Sequence, residues 1–209
     1  MHRRVVCIAV LVAAACAPAT ALAAPSGLVD VRSGDATIRV EVRYAGPDNF
    51  TGRRLPGYRA PRALLLPRAA RALGRVQRRL RREGLGLKVY DAYRPARASR
   101  AMVRWARRVG RPELVTGGYI AQRSNHNLAT TVDLTLVRLR GGRELDMGTP
   151  FDAFTRRSAT RAARGAALRN RLRLRRAMQH EGFVNYAREW WHYDSRVPGP
   201  RRLDLPILP

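Results

Sequence analysis

Two short stretches of the chain bring together side chains that bind metals and move protons. The first is Ser124-Asn125-His126-Asn127-Leu128-Ala129-Thr130-Thr131-Val132-Asp133. Its histidine and carboxylate lie seven residues apart on a loop entering a strand, and both can turn toward one metal ion. The second is Glu189-Trp190-Trp191-His192. A glutamate and a histidine three apart meet readily on a helix but point to opposite faces of a regular strand. The aromatics favour a strand here, so this pair needs a bulge or a strand end. Together His126, Asp133 and His192 offer two imidazole nitrogens and a carboxylate oxygen, which leaves the fourth position of a tetrahedral zinc to water. Glu189 then stands as the base that takes a proton from a water whose pKa zinc lowers to about 7. Taken singly, each pair reads more readily as structural than as metal-binding. Of the other histidines, His2 lies at the N-terminus and His180 reads as structural.

These residues need elements to position them. Ile38, Val40 and Val42 alternate with Thr37, Arg39 and Glu41, which predicts a half-buried strand over 36–42. The stretch 44–61 is rich in Gly, Pro and Asn and reads as a long loop. Pro67 opens a helix with Ala69, Leu73, Val76 and Leu80 on one face and Gly84 as its stop. Leu85, Leu87 and Val89 alternate with Gly86, Lys88 and Tyr90 in a second strand, which runs into Asp91-Ala92-Tyr93-Arg94-Pro95. Pro95 can start a helix that carries Ala98, Met102, Trp105 and Val109 at helical spacing. A strand over 132–139, a helix over 158–181 ending before Gly182, and an aromatic, strand-like stretch over 183–193 complete the frame. Such irregular alternation predicts one α+β domain over 25–209, with a mainly antiparallel central sheet flanked by helices and the zinc site at the sheet.

Residues 1–24 read as a secretory signal peptide, which makes the protein secreted or periplasmic. His2-Arg3-Arg4 precedes an apolar run from Val5 to Ala17, and Ala21-Leu22-Ala23 has the small-x-small form of a cleavage site. Cleavage near Ala23 or Ala24 removes both cysteines, Cys7 and Cys16, so the mature chain carries no disulfide and no cysteine ligand. A lipid anchor at Cys16 is the lesser alternative, because Ala13 stands where a branched residue is usual. Arg3-Arg4 lacks the wider twin-arginine motif, and no later stretch is long and apolar enough for a transmembrane span.

With 45% hydrophobic and 27% charged residues, composition excludes wholesale disorder. Lys+Arg is 41 against Asp+Glu 15, a net charge of +26. That balance raises nucleic acid, an anionic membrane or an acidic wall polymer as partners. Yet Lys88 is the only lysine. Lysine also neutralises phosphate, so selection for bulk charge has no reason to avoid it. The arginine bias fits a GC-rich coding sequence better. No specific nucleic-acid partner is expected, and contact with anionic wall polymers is of the nonspecific kind.

In order along the chain, the blocks Asn49-Phe50-Thr51-Gly52 after Tyr44, Gly86 to Pro95, Ser124 to Leu136, Met147-Gly148-Thr149-Pro150-Phe151-Asp152, Asn170-Arg171, Gly182-Phe183 and Glu189 to His192 resemble the D-alanyl-D-alanine dipeptidases, a family of zinc peptidases. The resemblance implies one zinc ion per chain, with His126, Asp133 and His192 as ligands and Glu189 as general base. It implies that Arg94 stabilises the oxyanion, that Asp152 with Tyr44 beside it meets the substrate ammonium, and that Ser124 lies near the substrate carboxylate. The implied substrate is a short D,D-dipeptide such as D-Ala-D-Ala. Trp190 and Trp191 are expected to pack in the core and orient the ligands. Two positions depart from the family pattern Ser-x-His-x-x-Gly-x-Ala-x-Asp. Ala129 replaces its glycine, at a cost of about 1 kcal/mol if the position needs a positive φ, and this is expected to shift the His126 loop. Thr131 replaces its alanine and is expected to narrow the pocket. Two alternatives stand beside the dipeptidase: a D,D-carboxypeptidase acting on longer wall peptides, and a non-catalytic basic protein that binds wall or other polyanions on the same fold.

Overall fold

Two stretches of alternating apolar and polar residues build the two central strands. They are β4 (Leu85–Asp91) and β5 (Thr131–Arg138), paired antiparallel along almost their whole length. The structure is a computed structural model and describes residues 27–199 and 201–209, so the segment read as a signal, with Cys7 and Cys16, lies outside the described residues. In chain order the strands are β1 (Val29–Asp30), β2 (Arg39–Val40), β3 (Leu64–Leu65), β4, β5, β6 (Phe183–Asn185) and β7 (His192–Ser195). The α-helices are α1 (Pro67–Arg81), α2 (Ala96–Arg108), α3 (Glu113–Thr116) and α4 (Gly165–His180). The five-stranded sheet runs β2-β4-β5-β7-β6, and β1 pairs with β3 in a small separate sheet. The result is α+β, as expected, with one correction. The large sheet is mixed, because its edge strand β2 runs parallel to β4 while the other three pairings are antiparallel.

The helices follow their apolar stripes. Pro67 occupies the first turn of α1, where its missing N–H costs nothing, and Ala69, Leu73, Val76 and Leu80 are buried. A Cβ on Gly74 of α1 would come within 2.2 Å of the Gly34 carbonyl, so glycine is what lets this helix approach the turn after β1. In α2, Ala98, Met102 and Ala106 are buried, but Val109 lies beyond the helix end and is exposed.

Three elements differ from their sequence expectations for local reasons. The strand expected over 36–42 is hydrogen-bonded as a strand only at Arg39–Val40, because the Asp35 side chain accepts from the backbone and hydroxyl of Thr37 and makes a turn there. The helix expected from residue 158 begins at Gly165. That glycine has φ +56, outside helical geometry, and Ser158 ends a separate 3₁₀ turn. The stretch 183–193 is a hairpin whose middle, 186–191, is a loop.

Arg171 of α4 is fully buried and holds the segment between β5 and α4. Its guanidinium donates to the carbonyls of Met147, Arg157 and Ala159 at 2.6–2.9 Å and lies over the Trp190 ring. Replacing it with an apolar residue leaves the buried Met147 carbonyl without this donor, at about 1–3 kcal/mol, and removes the bonds to the part-buried Arg157 and Ala159 carbonyls. Arg171→Met is therefore expected to lower stability by roughly 3 kcal/mol or more, read as a shift of the urea midpoint.

Candidate metal and catalytic site

Strand register places the first two candidate ligands. Asp133 of β5 and His192 of β7 are directly opposed across an antiparallel pair, so their side chains rise on the same face. His126 comes from a 3₁₀ turn, Asn125–Leu128, immediately before β5. Ser124 caps that turn, its hydroxyl oxygen accepting from the His126 N–H at 3.3 Å. Ala129 ends the turn at φ 55, ψ 30, so the chain keeps the left-handed conformation there without a glycine. The turn is held from two sides. Arg94 N–H donates to the His126 carbonyl, and the Asn127 amide donates to the Arg94 carbonyl at 2.8 Å. Residues 201–209, which carry no motif legible in the sequence, add a third hold. Leu203 N–H donates to the Asn127 carbonyl, while the Leu203 carbonyl accepts from Ala96.

His126, Asp133 and His192 each offer one ligand atom, and these atoms lie within 4.8 Å of one another. His126 Nδ1–H donates to the Ala92 carbonyl at 2.6 Å, which leaves Nε2 as a bare lone pair. Among the described residues that Nε2 and Asp133 Oδ1 are buried with no hydrogen bond of good geometry, although Asp133 Oδ2 lies 3.2 Å from Nε2 and Oδ1 lies 3.0 Å from His192 Nδ1. Buried polar atoms without good hydrogen bonds are costly, and here they face a common point. Two nitrogens and one carboxylate oxygen suit a divalent transition ion, so the residues present fit a metal.

Glu189 lies in the loop before β7, at the strand end its spacing required, with one carboxylate oxygen 3.7 Å from His192 Nδ1. Its backbone is fixed: Glu189 N–H donates to Tyr186, and the Asn185 amide donates to its carbonyl at 2.9 Å. Burial, reinforced by the Asp133 charge and opposed by His192, pushes the Glu189 carboxyl up to about 7. Burial also disfavours ionisation of Asp133, yet the two histidines hold its carboxyl well below the usual range.

Arg94 is buried and tethered. Its Nε donates to Asp91 Oδ2 at 2.9 Å and its Nη2 to Asp133 Oδ2 at 3.5 Å, and the guanidinium lies over the Tyr44 ring. Asp91 is fully buried and also accepts from the Tyr58 hydroxyl at 2.6 Å. Tyr44 donates from its hydroxyl to Asp152 Oδ2 at 2.8 Å. Asp152 adopts φ 58, and burial together with the nearby Asp133 raises its carboxyl well above the usual range.

All eight sequence candidates (Tyr44, Arg94, Ser124, His126, Asp133, Asp152, Glu189 and His192) line one cavity of about 260 Å³. Phe50, Tyr119 and Phe154 form much of its apolar wall. Trp190 packs in the core and donates to Thr149, as expected, while Trp191 also reaches the cavity. Thr131 does not line the cavity; it is fully buried with its hydroxyl turned to Asp194, which corrects the expectation that it narrows the pocket. His180 is exposed on the surface beside Arg79 and Glu181. Sequence reasoning missed Asp91, Tyr58, Asn127 and Asp194. Of these, Asp194 had a readable signal, since residues two apart on a strand share a face.

The D-ala-D-ala dipeptidase family model matches residues 24–199. The chain is 36% identical to a D-alanyl-D-alanine dipeptidase of Enterococcus faecium and 39% identical to one of Streptomyces coelicolor, in each case over 81% of this chain and 93% of the relative. It is 37% identical to one of Escherichia coli, over 87% of this chain and 89% of the relative. Among the described residues no helix is long and apolar enough to cross a membrane. An ion that binds the folded site stabilises it by mass action. A divalent transition ion at 100 times its dissociation constant is therefore expected to add about 2.7 kcal/mol to the unfolding free energy, and His126→Ala to abolish most of that gain in thermal unfolding.

Proposed function

The chain belongs to the D-ala-D-ala dipeptidase family of hydrolases, and from that premise we propose that it is a zinc peptidase hydrolysing D-Ala-D-Ala or closely similar wall-derived D,D-dipeptides. The observation that carries this reading is the convergence of a two-histidine, one-carboxylate cluster, a buried glutamate and a tethered arginine on one small cavity. When bound, zinc supplies Lewis-acid polarisation and lowers the pKa of water at the site.

The chain's own residues do the rest. Glu189, its carboxylate raised by burial, takes a proton from the attacking water and returns it to the leaving amine nitrogen. Arg94 has five N–H donors, and its bonds to Asp91 and Asp133 fix the plane of the guanidinium while leaving donors free. Those donors meet the oxygen on which charge develops, and a fixed, buried cation there needs no reorganisation. Asp152, oriented by Tyr44, receives the substrate ammonium, and Ser124 lies toward its carboxylate. Asp152 and Tyr44 on the cavity wall offer a partner for a free ammonium, which favours a free dipeptide over a longer wall stem. Cleavage of residues 1–24 would put the enzyme outside the membrane, where it scavenges or recycles wall fragments.

Purified 25–209 is expected to release D-alanine from D-Ala-D-Ala, to stop with a zinc chelator and to recover with zinc. Glu189→Gln is expected to lose about 10²- to 10⁴-fold in kcat, and Arg94→Met about 10²- to 10³-fold. No release by zinc-loaded protein, with release from longer wall peptides instead, would replace the dipeptidase by the carboxypeptidase reading. Because Asp152 is assigned to the free ammonium, N-acetyl-D-Ala-D-Ala is expected to be a poor substrate. Asp152→Asn should bring kcat/KM for the free dipeptide down toward the acetylated value.

A further inference from the structure

The one strand residue that departs from the family's metal-loop pattern makes a bond that the family's alanine could not make. Thr131 on β5 is directly opposite Asp194 on β7, two residues along the ladder from the Asp133–His192 pair. The four side chains therefore form a square on one face of the sheet, with Asp133 and His192 on one edge and Thr131 and Asp194 on the other. The fully buried Thr131 hydroxyl donates to Asp194 Oδ1 at 2.5 Å. The same oxygen lies 3.4 Å from His192 Nε2, while His192 Nδ1 faces Asp133 Oδ1 at 3.0 Å. The other Asp194 oxygen accepts from the Asn125 amide at 3.2 Å, and Asn125 is the neighbour of His126. One carboxylate thus touches all three segments that carry the candidate ligands.

We propose that Thr131 and Asp194 act as a positioning pair for His192. Asp194 takes the Nε2–H side of the ring and leaves Nδ1 as a lone pair toward Asp133, and Thr131 fixes the Asp194 rotamer. A histidine ligand needs its second nitrogen engaged if its tautomer and ring plane are to be set, and losing such an outer partner weakens metal binding about 10- to 100-fold. The inference rests on the zinc reading of the site. It adds that Thr131 and Asp194, neither of them a candidate ligand, set the orientation of one ligand.

The test is zinc affinity by competition with a chromophoric chelator, on wild type, Asp194→Ala, Thr131→Val, Thr131→Ser and the double variant Thr131→Val/Asp194→Ala. Thermal unfolding of each zinc-free protein serves as the control for folding. Asp194→Ala is expected to weaken zinc binding about 10- to 100-fold. Thr131→Val, which keeps the volume and loses the hydroxyl, should weaken it by a smaller factor, and Thr131→Ser should retain wild-type affinity. In the double variant the Thr131 change should add nothing, because the hydroxyl acts only through Asp194. Wild-type zinc affinity in Asp194→Ala overturns the pair while leaving the metal site standing, whatever happens to the unfolding temperature. A wild type that holds no zinc overturns the metal site and the pair together.

Discussion

The register of one strand pair governs the site. Opposing Asp133 to His192 across β5 and β7 sets a carboxylate and an imidazole side by side on one face, and a slip of β7 by one residue would turn His192 to the other face, away from Asp133. Around that pair the remaining pieces are fixed by backbone hydrogen bonds. The His126 turn is tied to Arg94 and to the C-terminal segment, and the Glu189 loop is tied to Asn185 and Tyr186. The sheet is buried along β4 and β5, so the register is held by packing as well as by the ladder.

Electrostatics adds a second constraint. Asp133, Asp152, Glu189 and Asp194 all line one cavity in a chain whose net charge is +26. Arg94 lies between Asp91 and Asp133 and compensates part of that charge from inside. A bound cation would offset the rest, and the Nε2 of His126 and Oδ1 of Asp133 face where it would sit. The oxyanion role proposed for Arg94 depends on the same tethers that compensate its neighbours, because they hold the guanidinium still.

Much of this was legible in the sequence, for identifiable reasons. The helix from Pro67 and the strands around 85–91 and 132–139 have strong periodicity and clear start signals. The requirement that Glu189 and His192 meet at a strand end followed from strand geometry alone, and the loop 186–191 supplies it. What failed rested on tertiary or local-turn effects. The parallel edge strand β2 is a pairing choice that alternation does not encode. The late start of α4 at Gly165 depends on one positive φ. Asp91 and Tyr58 are joined by a hydrogen bond across 33 residues, and the hold of residues 201–209 on the His126 turn is likewise long-range. Thr131 reads from the sequence as narrowing the pocket, because alternation gives its side-chain face and not its partner Asp194.

The most direct measurement is zinc K-edge X-ray absorption on zinc-loaded protein comprising residues 25–209. The account predicts a four-coordinate ion with two imidazole nitrogens at about 2.0–2.1 Å, one carboxylate oxygen at about 2.0–2.2 Å, and one further light atom. It predicts no sulfur, since both cysteines precede residue 25. A spectrum with fewer than two imidazoles, or with an all-oxygen shell, would contradict the site on which the whole reading stands.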